Sequence, residues 1–271
     1  MGSGVTTLRE GYHVGVAWLR DACGSCEYCV TGWETLCHKQ HNSGYSVNGG
    51  FAEYVIGAAP YVAHLPAAAD SVAMAPILCA GVTTYKGIKE TEAKPGEWIA
   101  ISGIGGLGHL AVQYAKVMGL HVAALDVSEA KLALARSLGA DVTIDARASD
   151  AASQVIKETS GGAQTAVSPT PFSQPLRMVR RKGTVCLGLP PGELQMPMFD
   201  VVLKRVNIRG SIVGTRKVLA EAIAFAGAGK LAATIEKADL SNINDVLSRL
   251  ETGNIPRPRR TGPVLRLVSA L

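Results

Sequence analysis

No run of about twenty apolar residues occurs in the 271-residue sequence, which excludes a hydrophobic membrane-spanning helix. The start, Met1-Gly2-Ser3-Gly4-Val5, lacks the charged-then-apolar layout of a secretion signal. The chain therefore reads as soluble and cytoplasmic, with no membrane partner. It has no internal repeat. Net positive charge is small outside one place: of the net charge of +5, four charges belong to Arg257, Arg259, Arg260 and Arg266, between Asn254 and Leu271, where no acid occurs. That tail also lacks the interleaved aromatics that stack on bases, so it reads as a solvated end and no nucleic-acid partner is expected.

What is present is a globular composition, 47% hydrophobic and 18% charged, in a length that suits one large domain or two ordinary ones. Six cysteines occur, and Cys23, Cys26, Cys29 and Cys37 fall within fifteen residues. In a cytosolic chain such crowding indicates a metal before it indicates disulfides. Four thiolates fill a tetrahedral zinc ion, leave no position for substrate and make the site structural. An iron–sulfur cluster or a nucleic-acid zinc knuckle uses similar ligands, and His38 and His41 are near enough to substitute. Cys79, alone in the apolar stretch from Pro76 to Tyr85, reads by itself as core packing, as does Cys186.

From residue 98 onward the pattern is strand, turn, helix, strand. Trp98 to Ser102 is a short apolar run; Leu107, Leu110, Ala111, Tyr114, Ala115 and Met118 then recur at helical spacing until Gly119. Strands at Val122 to Leu125 and Asp141 to Asp145 flank a helix at Lys131 to Leu138. Later strands are expected at Thr184 to Leu189 and Val206 to Val213, with an amphipathic segment from Phe199 to Lys204 between them. Such alternation implies parallel βαβ units and a doubly wound α/β sheet. Residues 1–80 are glycine-rich and short of helical periodicity, with strand-like pieces at Val14 to Leu19 and Phe51 to Ile56, and read as irregular β structure around a metal loop at 23–37. Residues 81–214 form the α/β domain, and 215–271 return to the first part through helices at Val218 to Phe225 and Ile243 to Leu250, before Pro256 and Pro258 break the pattern.

Gly103-Ile104-Gly105-Gly106-Leu107-Gly108 follows a strand and opens a helix, and Asp126 ends the next strand eighteen residues past Gly108. Gly103 permits the turn, Gly105 lets the backbone approach a pyrophosphate, and Gly108 allows close helix–strand packing. The helix N-terminus then receives the diphosphate. Asp126 is placed to bind the adenosine ribose and repels a 2′-phosphate, which favours NAD over NADP. Lys131 could also reach the ribose, although a solvated helix lysine is its simpler reading.

Taken in order, the cysteine loop, Gly44-Tyr45-Ser46 with Gly49-Gly50-Phe51, the segment Pro76 to Lys86 and the glycine motif resemble the zinc-containing medium-chain alcohol dehydrogenases of bacterial and yeast type, from about residue 5 to residue 253. The resemblance implies a Rossmann fold with a GroES-like β domain, incomplete in this chain, that carries the structural zinc on Cys23, Cys26, Cys29 and Cys37. It also makes Cys79 a ligand of a catalytic zinc. Thr83 and the backbone at Leu187 are implied at the nicotinamide, and Gly103 to Gly108, Asp126 and Lys131 at the rest of NAD. The implied reaction is reversible oxidation of a primary or secondary alcohol to an aldehyde or ketone, by a homodimer or homotetramer.

Two departures from that family stand in the sequence. The family's C-x-x-C-H-T and G-H-E segments lie before the first residue, leaving Cys79 the only matching catalytic-zinc ligand. His13, His64, His109 and His121 carry no motif that replaces the others. Between Ala163 and Ala166 about four apolar residues are missing, so a strand of the sheet is expected to be nearly deleted and the sheet destabilised. Two functions follow as expectations: an alcohol dehydrogenase, or an inactive NAD-binding protein that keeps only the structural zinc.

Overall fold

The computed structural model describes residues 1–167, 173–188 and 197–252. The expectations for Pro256, Pro258 and the arginine-rich tail lie outside the described residues. Ten strands run in chain order: β1 Val14–Gly15, β2 Leu19–Asp21, β3 His41–Asn42, β4 Ala63–His64, β5 Trp98–Ser102, β6 His121–Asp126, β7 Val142–Asp145, β8 Gln164–Val167, β9 Thr184–Leu187 and β10 Asn207–Gly210. The α-helices are α1 Glu27–Val30, α2 Ser71–Met74, α3 Ala80–Glu90, α4 Gly108–Val117, α5 Glu129–Ser137, α6 Ala151–Glu158, α7 Ser173–Met178, α8 Met198–Lys204, α9 Arg216–Gly227 and α10 Ile243–Glu251. None of them is long and apolar enough to cross a membrane.

The chain divides into two compact units, one made of Met1–Val82 with the segment that follows Ile212, the other of Thr83–Ile212. In the second unit, six parallel strands lie in the order β10-β9-β8-β5-β6-β7. This is the doubly wound order, whose direction of winding reverses between β5 and β8, where a nucleotide crevice forms beyond the strand C-termini. Ile99, Ala100, Ile101 and Ser102 of β5 and Val122 to Leu125 of β6 are fully enclosed. Near-continuous apolar strands are what a parallel sheet covered on both faces requires. From α4, Leu110, Val112, Tyr114 and Ala115 are buried, and each large side chain so placed stabilises the fold by about 1.5–3 kcal/mol.

The expected deletion between Ala163 and Ala166 is corrected here. Strand β8 is present in the middle of the sheet and pairs on both sides, from Ile99↔Gln164 to Ser102↔Val167 with β5, and from Thr165↔Val185 to Val167↔Leu187 with β9. A ladder is built from backbone groups, so four residues sustain it without the missing apolar side chains. Where the pairing with β9 begins, the buried Gln164 side chain also supplies an acceptor, its Oε1 taking the Thr184 N–H at 2.6 Å.

The first unit has short pieces of structure in place of a continuous sheet. The strand expected over Val14 to Leu19 is two: β1 pairs with β4 and β2 with β3, both antiparallel. The strand expected over Phe51 to Ile56 is absent, and Phe51, Tyr54, Val55 and Ile56 are exposed. Their β-branched and aromatic character fits a pleated surface, but a strand also needs a partner, and none lies beside them among the described residues.

Candidate functional site: a glycine turn and a thiolate loop

The turn from Gly103 to Gly108 leaves β5 at its C-terminal end. Gly103 has φ +86°, a left-handed conformation that a Cβ disfavours, and its N–H donates to Leu125 O of β6 at 2.7 Å. At Gly108 a Cβ would stand 1.8 Å from Gly103 O, so helix and turn approach to a distance only glycine permits. At Gly105 a Cβ would meet nothing within 4 Å, which leaves open space beside the turn. Helix α4 begins there with no side-chain cap and no acid in its first turn, the electrostatic condition for an anion at a helix N-terminus. His109 is buried, with Nδ1 2.9 Å from Gly105 O; burial lowers its pKa. Its role in the turn is structural.

Asp126 is directed at this turn. Its Oδ2 accepts the Ile104 N–H at 2.7 Å and its Oδ1 accepts the Ser128 N–H at 2.9 Å. Each carboxylate oxygen keeps acceptor capacity for a hydroxyl. Lys131 Nζ stands 3.9 Å from Asp126 Oδ2, with its side chain half exposed. The open cradle at Gly105 and the fixed carboxylate fit a dinucleotide. Sequence reasoning placed Ile104 in the turn but did not foresee that the Ile104 and Ser128 amides hold the Asp126 carboxylate, because main-chain donors carry no side-chain signal. Leu187 ends β9, two strands from β5, and Thr83 lies in the first turn of α3.

The thiolate loop is the second element. The sulfurs of Cys23, Cys26, Cys29 and Cys37 all lie within 4.8 Å of one another. Amides point at them: Cys26 N–H donates to Cys23 Sγ at 3.3 Å, and Cys23 and Lys39 N–H donate to Cys37 Sγ at 3.5 and 3.4 Å. Donation from Ser25 and Cys26 draws the Cys23 thiol down to about 6, while desolvation and the adjoining sulfurs push Cys29 up to about 12. Four soft donors in a compact loop suit zinc and fill its coordination, so this site is structural. The histidines considered as substitutes are engaged elsewhere, His38 against the Tyr28 ring and His41 with Nδ1 2.6 Å from Asp21 Oδ1.

Cys79 follows a 3-10 turn at Ala75–Leu78 and is partly buried; burial raises its pKa. Among the described residues the four-cysteine loop is the only group of three or more potential metal ligands. One thiolate does not make a catalytic zinc site, which needs three protein ligands and an open position. The residues described here therefore do not fit a second zinc, and no chemical step is assigned through one. His13 is placed structurally, with Nε2 2.9 Å from Ser71 Oγ and Nδ1 3.3 Å from Pro66 O.

A doubly wound sheet with a glycine cradle at its switch point, joined to a separate unit with a closed thiolate loop, defines a nucleotide-dependent dehydrogenase with a structural metal. The profile described as "Zinc-binding dehydrogenase" matches residues 106–228, and "Alcohol dehydrogenase GroES-like domain" matches residues 1–67. An alcohol dehydrogenase of Moraxella sp. (strain TAE123) is 56% identical over 94% of this chain and 77% of its own length. The crystal structure of the Aeropyrum pernix alcohol dehydrogenase superposes with a TM-score of 0.86 at 34% identity, over 94% of this chain and 76% of that one. The acetophenone reductase of Geotrichum candidum in complex with NAD superposes at 0.83 with 30% identity, over 94% and 75%. The chain belongs to the zinc-dependent medium-chain alcohol dehydrogenase family, a family of oxidoreductases that use zinc and a nicotinamide dinucleotide. Of the two expected functions, these relationships favour the dehydrogenase over the inactive binding protein.

Proposed function

We propose that the chain binds NAD, in preference to NADP, for the reversible oxidation of small primary or secondary alcohols, hydride passing from the carbinol carbon to the oxidised nicotinamide and the hydroxyl proton passing to water. The observation that carries the NAD preference is the Asp126 carboxylate, held at the glycine turn by the Ile104 amide. There it accepts from ribose hydroxyls and repels a 2′-phosphate. Lys131 adds a donor from α5, and Thr83 and the main chain at Leu187 contact the nicotinamide half. Fluorescence titration tests this reading. NADH is expected to bind at least ~10-fold more tightly than NADPH, since like-charge juxtaposition costs several kcal/mol and about 1.4 kcal/mol is tenfold. Asp126→Ser should bring the two affinities together. Equal affinity in the unsubstituted chain would sink the assignment.

The chain also associates with a second copy of itself in this reading. Helix α8 exposes Met198, Phe199, Val202 and Leu203, and it precedes β10, the edge of the sheet. Apolar side chains close in sequence to a strand edge that has no partner among the described residues favour association. Sedimentation velocity should find a dimer or tetramer, and Phe199→Glu with Val202→Glu should convert it to monomer; a monomeric parent chain rules the proposal out.

A further inference from the structure

The thiolate loop is joined to the C-terminal return by a closed circuit of contacts within one compact unit. Glu34 lies between Cys29 and Cys37 and is buried. Its backbone carbonyl accepts the Cys37 N–H at 3.1 Å, which ties it to a metal ligand. Its side chain points to α9: Oε2 accepts the Arg216 backbone N–H at 3.1 Å, and Oε1 accepts Arg216 Nε at 2.6 Å and pairs with Nη2. Helix α9 has no side-chain cap from its own N-cap residue, Thr215, so Glu34 from the loop does the capping.

Arg216 carries the circuit onward. Its Nη1 donates to Pro60 O at 3.2 Å, and its guanidinium lies over the Tyr61 ring, 4.4 Å from the centroid. Tyr61 Oη donates to Ala22 O at 3.3 Å, one residue before Cys23. Cys23 N–H then donates to Cys37 Sγ, closing the ring. The circuit thus grips the loop at both ends, beside its first cysteine and beside its last.

We propose that Glu34, Arg216 and Tyr61 form a clasp that preorganises the four thiolates for zinc, and that zinc in turn holds the first turn of α9 in place. The inference rests on the structural-zinc reading of the loop. All three are positioning residues: none ligates the metal; Glu34 and Tyr61 act through the backbone of Cys37 and of Ala22, and Arg216 acts through Glu34 and Tyr61. Linkage makes the effect reciprocal, because whatever the clasp adds to zinc affinity, zinc adds to the clasp.

The experiment measures zinc release from the full chain into excess chelating dye, well below the melting temperature, alongside hydrogen exchange over Arg216–Gly227. Glu34→Gln is expected to speed release by about 10- to 100-fold, the range in which partners of metal ligands act. Tyr61→Phe, which removes only the hydroxyl link to Ala22, should have a smaller effect in the same direction. Glu129→Gln, which breaks an exposed pair with Arg136 elsewhere, should leave release unchanged. In the unsubstituted chain, zinc removal should raise exchange at the start of α9; in Glu34→Gln, exchange there should be high with or without zinc. Should Glu34→Gln fail to fold, Tyr61→Phe and the exchange measurement on the unsubstituted chain still decide. Release within twofold in the folded variants, or α9 exchange indifferent to zinc, overturns the clasp and leaves the zinc site standing. A chain that holds no zinc overturns both.

Discussion

Gly108→Ala should weaken NADH binding by more than ~100-fold and lower the melting temperature together with it. A methyl group at this position would lie 1.8 Å from Gly103 O and 2.8 Å from Gly103 C, both backbone atoms that no rotamer change can move. Gly103 is itself fixed to β6 through Leu125 O. Relief therefore requires α4 or the turn to shift by an ångström or more, which takes the amides at the helix start away from the diphosphate. Overpacking of this kind costs about 1–3 kcal/mol, or roughly 2–10 °C in a protein of this size. Gly105→Ala provides the contrast, since its added methyl group meets no protein atom within 4 Å. That variant should melt normally and still lose the cofactor, because the methyl group occupies the space into which the phosphate comes. Calorimetry with NADH titration separates the two effects; Gly108→Ala with full affinity would show that the close approach of helix and turn has no part in binding.

Much of this arrangement was legible in the sequence because its signals are local. A strand, three spaced glycines, a helix and a terminal aspartate lie within thirty consecutive residues, and Gly103 and Gly108 answer to backbone constraints made inside that unit, whereas Gly105 faces open space. The four cysteines are similarly close, so their convergence needs only short turns such as those at Gly24 and Gly32, where φ is +73° and +85°. What escaped depends on distant partners. The apolar residues at Phe51 to Ile56 suggest a strand, but pairing is a tertiary property and the described residues supply no neighbour. The short segment at Gln164 suggested the loss of a strand, yet the flanking strands β5 and β9 set its conformation, and a glutamine side chain helps where the pairing begins. Glu34 and Arg216 are separated by 182 positions. Each looks like an ordinary surface charge until the fold buries the carboxylate against the start of α9.

Replacing Cys37 by serine should empty the metal loop and destabilise the unit that carries it, while leaving the nucleotide cradle intact. Cys37 is the most deeply buried of the four cysteines, and the Cys23 and Lys39 amides already point at its sulfur. A serine hydroxyl stays protonated near neutral pH and is a poor zinc ligand, so the site falls to three thiolates with a gap on its inner side. Zinc per chain should drop from about one to a small fraction by atomic emission. The three remaining thiols then lie free, and Cys23 Sγ and Cys29 Sγ, 3.9 Å apart, become prone to oxidation by dissolved oxygen to a disulfide unless reductant is present. Metal affinity in the unsubstituted chain should also fall as pH is lowered, because protons compete with zinc for the thiolates, and the Cys29 thiol, pushed up to about 12 by desolvation, is the one that resists losing its proton. NADH affinity should stay within about twofold, because Gly103 to Gly108 and Asp126 belong to the other compact unit. Retention of a full zinc equivalent in Cys37→Ser would mean that the metal is held by some other set of ligands, and loss of NADH binding in parallel with zinc would mean that the two units do not fold independently.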